Sequence, residues 1–356
     1  MRILAINPGS TSTKISVFDD HDDTFTMNIK HSTEELCSFH SVMEQHGFRK
    51  DLILSELKNA GISLPSIEVV VGRGGLVKPI PGGVYKINDT LLRDLKEEVM
   101  GTHPSNLGGL LAFEIACEIG PEIKAYIVDP PIVDELDDIA RISGIPDISR
   151  KSIFHALNQK AVARRFAREH WKKYEDLNLI IVHLGGGITV GAHKKGRVVD
   201  VNNGLDGDGP FSPERSGGLP AGDLMKLCFS GDYTINEIKK KITGQGGLVA
   251  YLGTNSAYET GQKVKEGDET AELIYKAMAY QVSKDVGAMA TVLSGDIDAI
   301  VLTGGIAYDE VFCKWIEERV GFIAKVIIYP GEDEMKALAE GVYYAIKGEI
   351  EIREYS

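Results

Sequence analysis

The chain has 356 residues, 43% hydrophobic and 26% charged, a composition that excludes a disordered segment or a fibre. At roughly 150 residues per domain the length predicts two domains, each able to bury its own core without metal or disulfide staples. Thirty-nine basic against fifty-two acidic residues leave a net charge of -13, which repels nucleic acid and anionic membranes and points to small-molecule partners. An anionic substrate must then be held locally, by amides, arginines or a metal ion.

In chain order, the opening run MRILAINPG reads as a strand, without the apolar core of a secretory leader, and no stretch reaches the roughly 18 apolar residues of a membrane span. A cytoplasmic protein is expected. Cys37, Cys117, Cys228 and Cys313 are scattered without a CxxC pair and read as buried thiols of a reducing compartment. Short runs rich in Ile and Val predict strands at 3–6, 15–18, 68–72, 125–128, 179–183, 299–302 and 325–329. Between them, helical periodicity predicts helices at 33–59, 89–99, 107–119, 156–173, 269–293, 309–320 and 333–346, with Ser32 and Asn88 as N-caps. Alternating strands and helices indicate an α/β protein. Residues 1–20 and 178–200 both read strand, glycine-containing turn, strand, which suggests a duplication with halves at 1–150 and 151–356. A third glycine turn, LTGGIAYDE, follows a strand and precedes a helix, a position suited to nucleotide contact.

The segment NPGSTSTK packs an amide, a glycine, hydroxyls and a lysine into residues 7–14. Gly9 lets the backbone approach a phosphate, Ser10 and Ser12 donate hydrogen bonds, Lys14 adds charge, and the Asn7 carbonyl can orient a hydrated Mg2+. The same composition equally describes a hairpin turn whose hydroxyls satisfy local backbone groups. Arg73, inside VGRGGLVKPIPGG, follows a strand and is flanked by glycines; a guanidinium there can grip a carboxylate or phosphoryl group, or bridge loop carbonyls. Arg215 stands before another glycine pair in PERSGGLP, which suggests a two-arginine clamp for anions. Asp129 ends the run AYIVD ahead of two prolines, at a strand's carboxyl end, where it is either an active residue or a loop acceptor. His155 and His183 adjoin the candidate phosphate turns, where an imidazole can donate to a phosphoryl group. Glu332 and Glu334, in YPGEDEM, either orient metal-bound water or complement a helix N-terminus.

In order and spacing these motifs resemble those of the acetate and butyrate kinase family of the actin-like ATPase superfamily. NPGSTSTK looks like the first phosphate signature, GRGG the substrate-arginine loop, IVHLGGG the second phosphate signature, PERSGGLP the second arginine and LTGGIA the adenosine signature. The resemblance implies an α/β fold of two duplicated actin-like (ribonuclease H-like) ATPase domains with a cleft between them. It implies that Asn7 and Glu332 position Mg2+, with Glu334 aligning almost as well, and that Lys14 and Arg73 bind the carboxylate or acyl phosphate. Arg73, Asp129, His155 and Arg215 would be catalytic. Ser10, Ser12, His183, Gly185, Gly186 and Gly187 would contact ATP phosphates, and Gly304, Gly305 and Ile306 its adenosine side. Pro8, the GRGG loop and Gly186 look like the butyrate kinase branch, so butyrate or a branched analogue is the expected acceptor and acetate or propionate the alternative. At least a homodimer is implied.

The chemistry agrees with that resemblance. A carboxylate is ionised at neutral pH and needs no general base to attack the γ-phosphate of ATP; it needs charge neutralisation, which arginines, histidines, turn amides and Mg2+ supply. Direct in-line transfer and closure of the two halves against water are expected. A sugar kinase would instead need a base for a hydroxyl, which Asp129 could supply, but a neutral polyol has no use for two arginines. An ATPase switch is the other rival, and acid-independent hydrolysis would distinguish it.

Overall fold

The computed structural model describes all residues, Met1–Ser356. Two compact units make up the chain: Met1–Val133 with Asp333–Ser356, and Asp134–Glu332. In the first, β1 (Arg2–Pro8), β2 (Ser12–Asp19) and β3 (Asp22–Lys30) form an antiparallel meander. The sheet continues through β4 (Val69–Arg73), parallel to β1, then β6 (Lys124–Val128), parallel to β4, with β5 (Val84–Lys86) antiparallel to β6. In the second unit, β7 (Asn178–Leu184), β8 (Ile188–Lys194) and β9 (Arg197–Val201) repeat the meander, while β10 (Ala299–Gly304) and β11 (Val326–Pro330) repeat the parallel extension. Finally β12 (Ile352–Glu354) returns to the first sheet beside β5. The orders β12-β5-β6-β4-β1-β2-β3 and β11-β10-β7-β8-β9 share one five-strand topology, so the duplication read from two glycine hairpins extends through each sheet.

Strands buried on both faces explain the unbroken apolar runs: NLIIVHL is buried along its whole length. Helix Asn106–Ile119 covers one face of the first sheet, where Leu107, Leu111 and Ile115 join its core, and helix Glu334–Ile346 covers β1, β4 and β6. In the second unit helix Ala156–Glu169 and the 24-residue helix Glu269–Val292 pack against β7. Ser32 caps helix Thr33–Cys37 and Asn88 caps helix Asp89–Lys96, each accepting from the third helical residue.

Several expectations shift. The unit boundary falls at Val133/Asp134 rather than after residue 150, because Asp137 N–H donates to the Val199 carbonyl and Arg150 pairs with Asp200, tying the intervening segment to β9. The last 24 residues belong to the first unit, not the second. The helix expected over 33–59 divides into Thr33–Cys37 and His46–Asn59, since the first of these buries nothing. Only Cys313 is a buried thiol; Cys37, Cys117 and Cys228 are exposed, Cys37 and Cys228 ending short helices with no buried residue. No helix is long and apolar enough to cross a membrane.

Candidate active site

The first-unit site is one polar row across the sheet. Asn28 of β3 pairs with Lys14 of β2, Lys14 pairs with Asn7 of β1, and Arg73 follows Gly72, the partner of Ile6, on β4. Residues level across a sheet share a face, so strands far apart in sequence deliver an amide, an ammonium and a guanidinium to one place. They line a pocket of about 440 Å³ together with Ser10, Ser12, His103, Ser105 and Glu334. Arg73 Nη1 lies 2.5 Å from Glu334 Oε1 and 3.5 Å from Asn7 Oδ1, while Asn7 Nδ2 donates to Glu334 Oε2 at 2.5 Å. Glu334 opens its helix, where the amide dipole favours a carboxylate. Burial, reinforced by the charge of Arg73, lowers the His103 pKa.

Arg73 is set by a close approach. A Cβ at Gly72 would stand 2.0 Å from the Gly108 carbonyl, and one at Gly108 would stand 2.2 Å from the Arg73 carbonyl, so helix Asn106–Ile119 rests backbone to backbone on the end of β4. Asp129 directly follows β6 at φ +38, a strained conformation that Asp tolerates better than most residues. Its Oδ1 accepts from Gly83 N–H at 2.7 Å and its own N–H donates to the Gly83 carbonyl, which fixes the end of the Arg73 loop.

The phosphate-like turn is closed by Gly9 N–H to the Ser12 carbonyl at 2.7 Å and held from behind by Arg49. Arg49 is 1% exposed; its Nη1 donates to the carbonyls of Gly9 and Ser12 and to Thr13 Oγ1, its Nη2 to the Ser10 carbonyl, and Gln45 Oε1 accepts from Nε and Nη2. With the turn's carbonyls drawn backwards, the amides other than that of Gly9 are left for a ligand. The motif reading missed Arg49, although the apolar stripe Ile53, Leu57 continues backwards at four-residue spacing into Arg49 and Gln45, an unusual place for a cation.

The second unit gathers the other candidates around the β7–β8 turn. Gly185 N–H donates to the Gly187 carbonyl, Ser212 Oγ donates to the Gly186 carbonyl, and the Arg215 guanidinium packs where a Cβ on Gly187 would stand. Arg215 also donates to the Gly204 carbonyl, and burial lowers its pKa. His155 and His183 stack with centroids 3.8 Å apart, and His183 Nδ1 meets Asn158 Oδ1 at 2.8 Å. Gly304 and Gly331 exchange reciprocal backbone hydrogen bonds, and Gly305 starts a short 3-10 turn in which the Ile306 side chain is buried. Glu332 lies 3.5 Å from His183 Nε2, while Glu334 accepts from Asn7 in the first unit.

Comparison with known proteins decides the family. The chain is 58% identical to butyrate kinase 1 and 56% identical to butyrate kinase 2 of Clostridium acetobutylicum, in each case over 99% of both chains. The profile of the acetokinase family matches residues 147–320. The chain belongs to the acetokinase family. It is a kinase of that family, and ATP is the family's phosphoryl donor. The crystal structure of Porphyromonas gingivalis acetate kinase shares the fold at a TM-score of 0.79 and 20% identity, covering 95% of this chain and 98% of that one. Each acetokinase half is thus the actin-like α/β unit expected from the motifs.

Proposed function

We propose that the chain transfers the γ-phosphate of ATP to the carboxylate of butyrate or a branched four-carbon acid, giving the acyl phosphate and ADP. The observation that carries this reading is the 56–58% identity, end to end, with two butyrate kinases. The site chemistry supports it. Lys14 and Arg73 form the carboxylate side, Ser10 and Ser12 the phosphate turn beside it, and His155, His183, Arg215 and the Gly185–Gly187 turn the γ-phosphate side, with Gly304, Gly305 and Ile306 toward adenosine. One carboxylate oxygen attacks the γ-phosphorus in line as the bond to the β–γ bridging oxygen breaks, and the cations offset charge developing on the equatorial oxygens. Asp129 accepts from the Gly83 amide and so holds the Arg73 loop, while a carboxylate acceptor, already ionised, needs no general base.

Asn7 and Glu334 fit Mg2+ as hard oxygen donors beside the phosphate turn. No cluster of three or more His, Cys, Asp or Glu side chains could cage an ion, so phosphate oxygens and water would complete its shell. Bound there, the ion neutralises phosphate charge. We further place the enzyme in the cytoplasm, which suits its exposed free thiols, and as at least a homodimer.

The test is hydroxamate trapping of acyl phosphate from ATP and Mg2+ with acetate, propionate, butyrate, isobutyrate and valerate at equal concentration. Highest turnover with four-carbon acids is expected; preference for acetate would overturn the acceptor, and no product with any acid the reaction. Arg73→Ala is expected to lower turnover roughly 100-fold or more while changing ATP affinity far less.

A further inference from the structure

Behind the second glycine turn, β8 presents Thr189, Gly191 and His193 two residues apart on one face. Helix Ala156–Glu169 sets its cap residue His155 and, one turn on, Gln159 against them. The side chains form one continuous chain. Tyr174 Oη meets His193 Nδ1 at 2.7 Å, His193 Nε2 meets Gln159 Oε1 at 2.9 Å, Gln159 Nε2 meets Thr189 Oγ1 at 2.8 Å and the Thr189 carbonyl at 3.2 Å, and Thr189 Oγ1 meets His155 Nδ1 at 3.0 Å. Gln159, Thr189 and His193 are wholly buried. Gly191 makes room for them: a Cβ there would stand 2.5 Å from Gln159 Oε1.

Counting donors and acceptors places every proton. The Thr189 carbonyl only accepts, so the Gln159 amide turns its NH2 toward Thr189 and its Oε1 toward His193. Oε1 only accepts, so His193 carries a proton on Nε2. Burial, aided by Lys160 and Arg164, holds the His193 pKa well below its ordinary value, so the ring is neutral and its Nδ1 accepts from the Tyr174 hydroxyl. The Thr189 hydroxyl is wholly buried between Gln159 Nε2, which donates to it, and His155 Nδ1, so satisfying its own proton sends that proton to His155 Nδ1. His155 therefore bears its proton on Nε2.

We propose that Gln159, Thr189 and His193 are positioning residues that lock His155 as an Nε2–H hydrogen-bond donor. The group receiving that bond is a phosphoryl oxygen, a step that rests on the kinase reading above. A donor fixed in this way is pre-aimed at developing negative charge and does not compete for the proton of its ligand.

Nitrogen-15 histidine spectra of the full-length protein above neutral pH, with His155 identified by difference against His155→Asn, test the relay directly. Protonated Nε2 with bare Nδ1 is expected; the proton on Nδ1 overturns it. Thr189→Val should mix the two forms and lower kcat about tenfold or more, with KM for ATP and acid within about threefold, while Thr189→Ser restores both the spectrum and the rate. Gln159→Glu, unable to donate to Thr189, should move the proton toward Nδ1. Wild-type kcat in Thr189→Val with the tautomer lost would overturn the positioning role. If the variants fail to fold, the wild-type spectrum still decides. A wild type that makes no acyl phosphate from any acid would refute the kinase reading, while the tautomer seen in its spectrum would still support or overturn the relay.

Discussion

Arg49 is gripped by neutral acceptors alone, with no carboxylate among its partners, and burial pushes its pKa down to about 10. Arg49→Met would leave the Gly9 carbonyl without its donor, at about 1–3 kcal/mol, and remove one of the two donors to the Ser12 carbonyl. We expect a thermal midpoint lower by several degrees, with Arg49→Lys recovering only part, since one ammonium cannot span five acceptors; equal melting of Met and wild-type chains would contradict this. Asp285 carries the opposite stress. Burial, with Asp208 adding repulsion, raises its pKa from 3.8 to about 6. A carboxyl raised on folding contributes stability that is present below its unfolded value and lost as pH rises through the folded one. Asp285→Asn is therefore expected to stabilise the protein by about 1–3 kcal/mol at pH 7.5 and to have little effect near pH 4. A gain of equal size at both pH values would show that packing, not charge, is responsible.

The helix Asn106–Ile119 works as the anvil for Arg73. Because Gly72 and Gly108 touch backbone to backbone, Gly108→Ala must lift the helix from β4, and a loss of about 2–4 kcal/mol together with reduced turnover is expected. Retained turnover in folded Gly108→Ala enzyme would detach Arg73 placement from that contact. Most long elements were legible in the sequence because buried parallel strands and long helices carry strong periodicity, as in β7 and Glu269–Val292. Short or unburied ones escaped: β3 has no buried residue, and helix Ala221–Cys228 has none either, so neither displays an apolar pattern. Among the candidate residues, glycine-flanked motifs drew out Asn7, Arg73, His183 and Arg215. Arg49 and the relay around Gln159 were hidden because their meaning lies in cross-element hydrogen bonds, which no local spacing encodes. That Glu334 meets Asn7 and Glu332 meets His183 was equally invisible, since both contacts join separate elements.

At the scale of the whole molecule, Ile139, Ile142, Ile145 and Ile148 recur every third residue and all stand exposed, Ile139 by 84%. Phe229 and Ile235 are 86% and 85% exposed, more apolar display than an isolated protein usually keeps. Sedimentation is expected to find a dimer or larger assembly, and Ile142→Lys with Ile148→Lys to shift it toward monomer if that row is the contact; an unchanged sedimentation profile would place the contact elsewhere. The first unit is assembled from both ends of the chain, with the second inserted between Val133 and Asp333. During synthesis the residues of the inserted unit emerge before the first unit receives a covering helix, an edge strand and Glu334. The first unit is thus without its Arg73 counter-charge until that segment follows, so a chain cut before Asp333 cannot complete the polar row around Arg73.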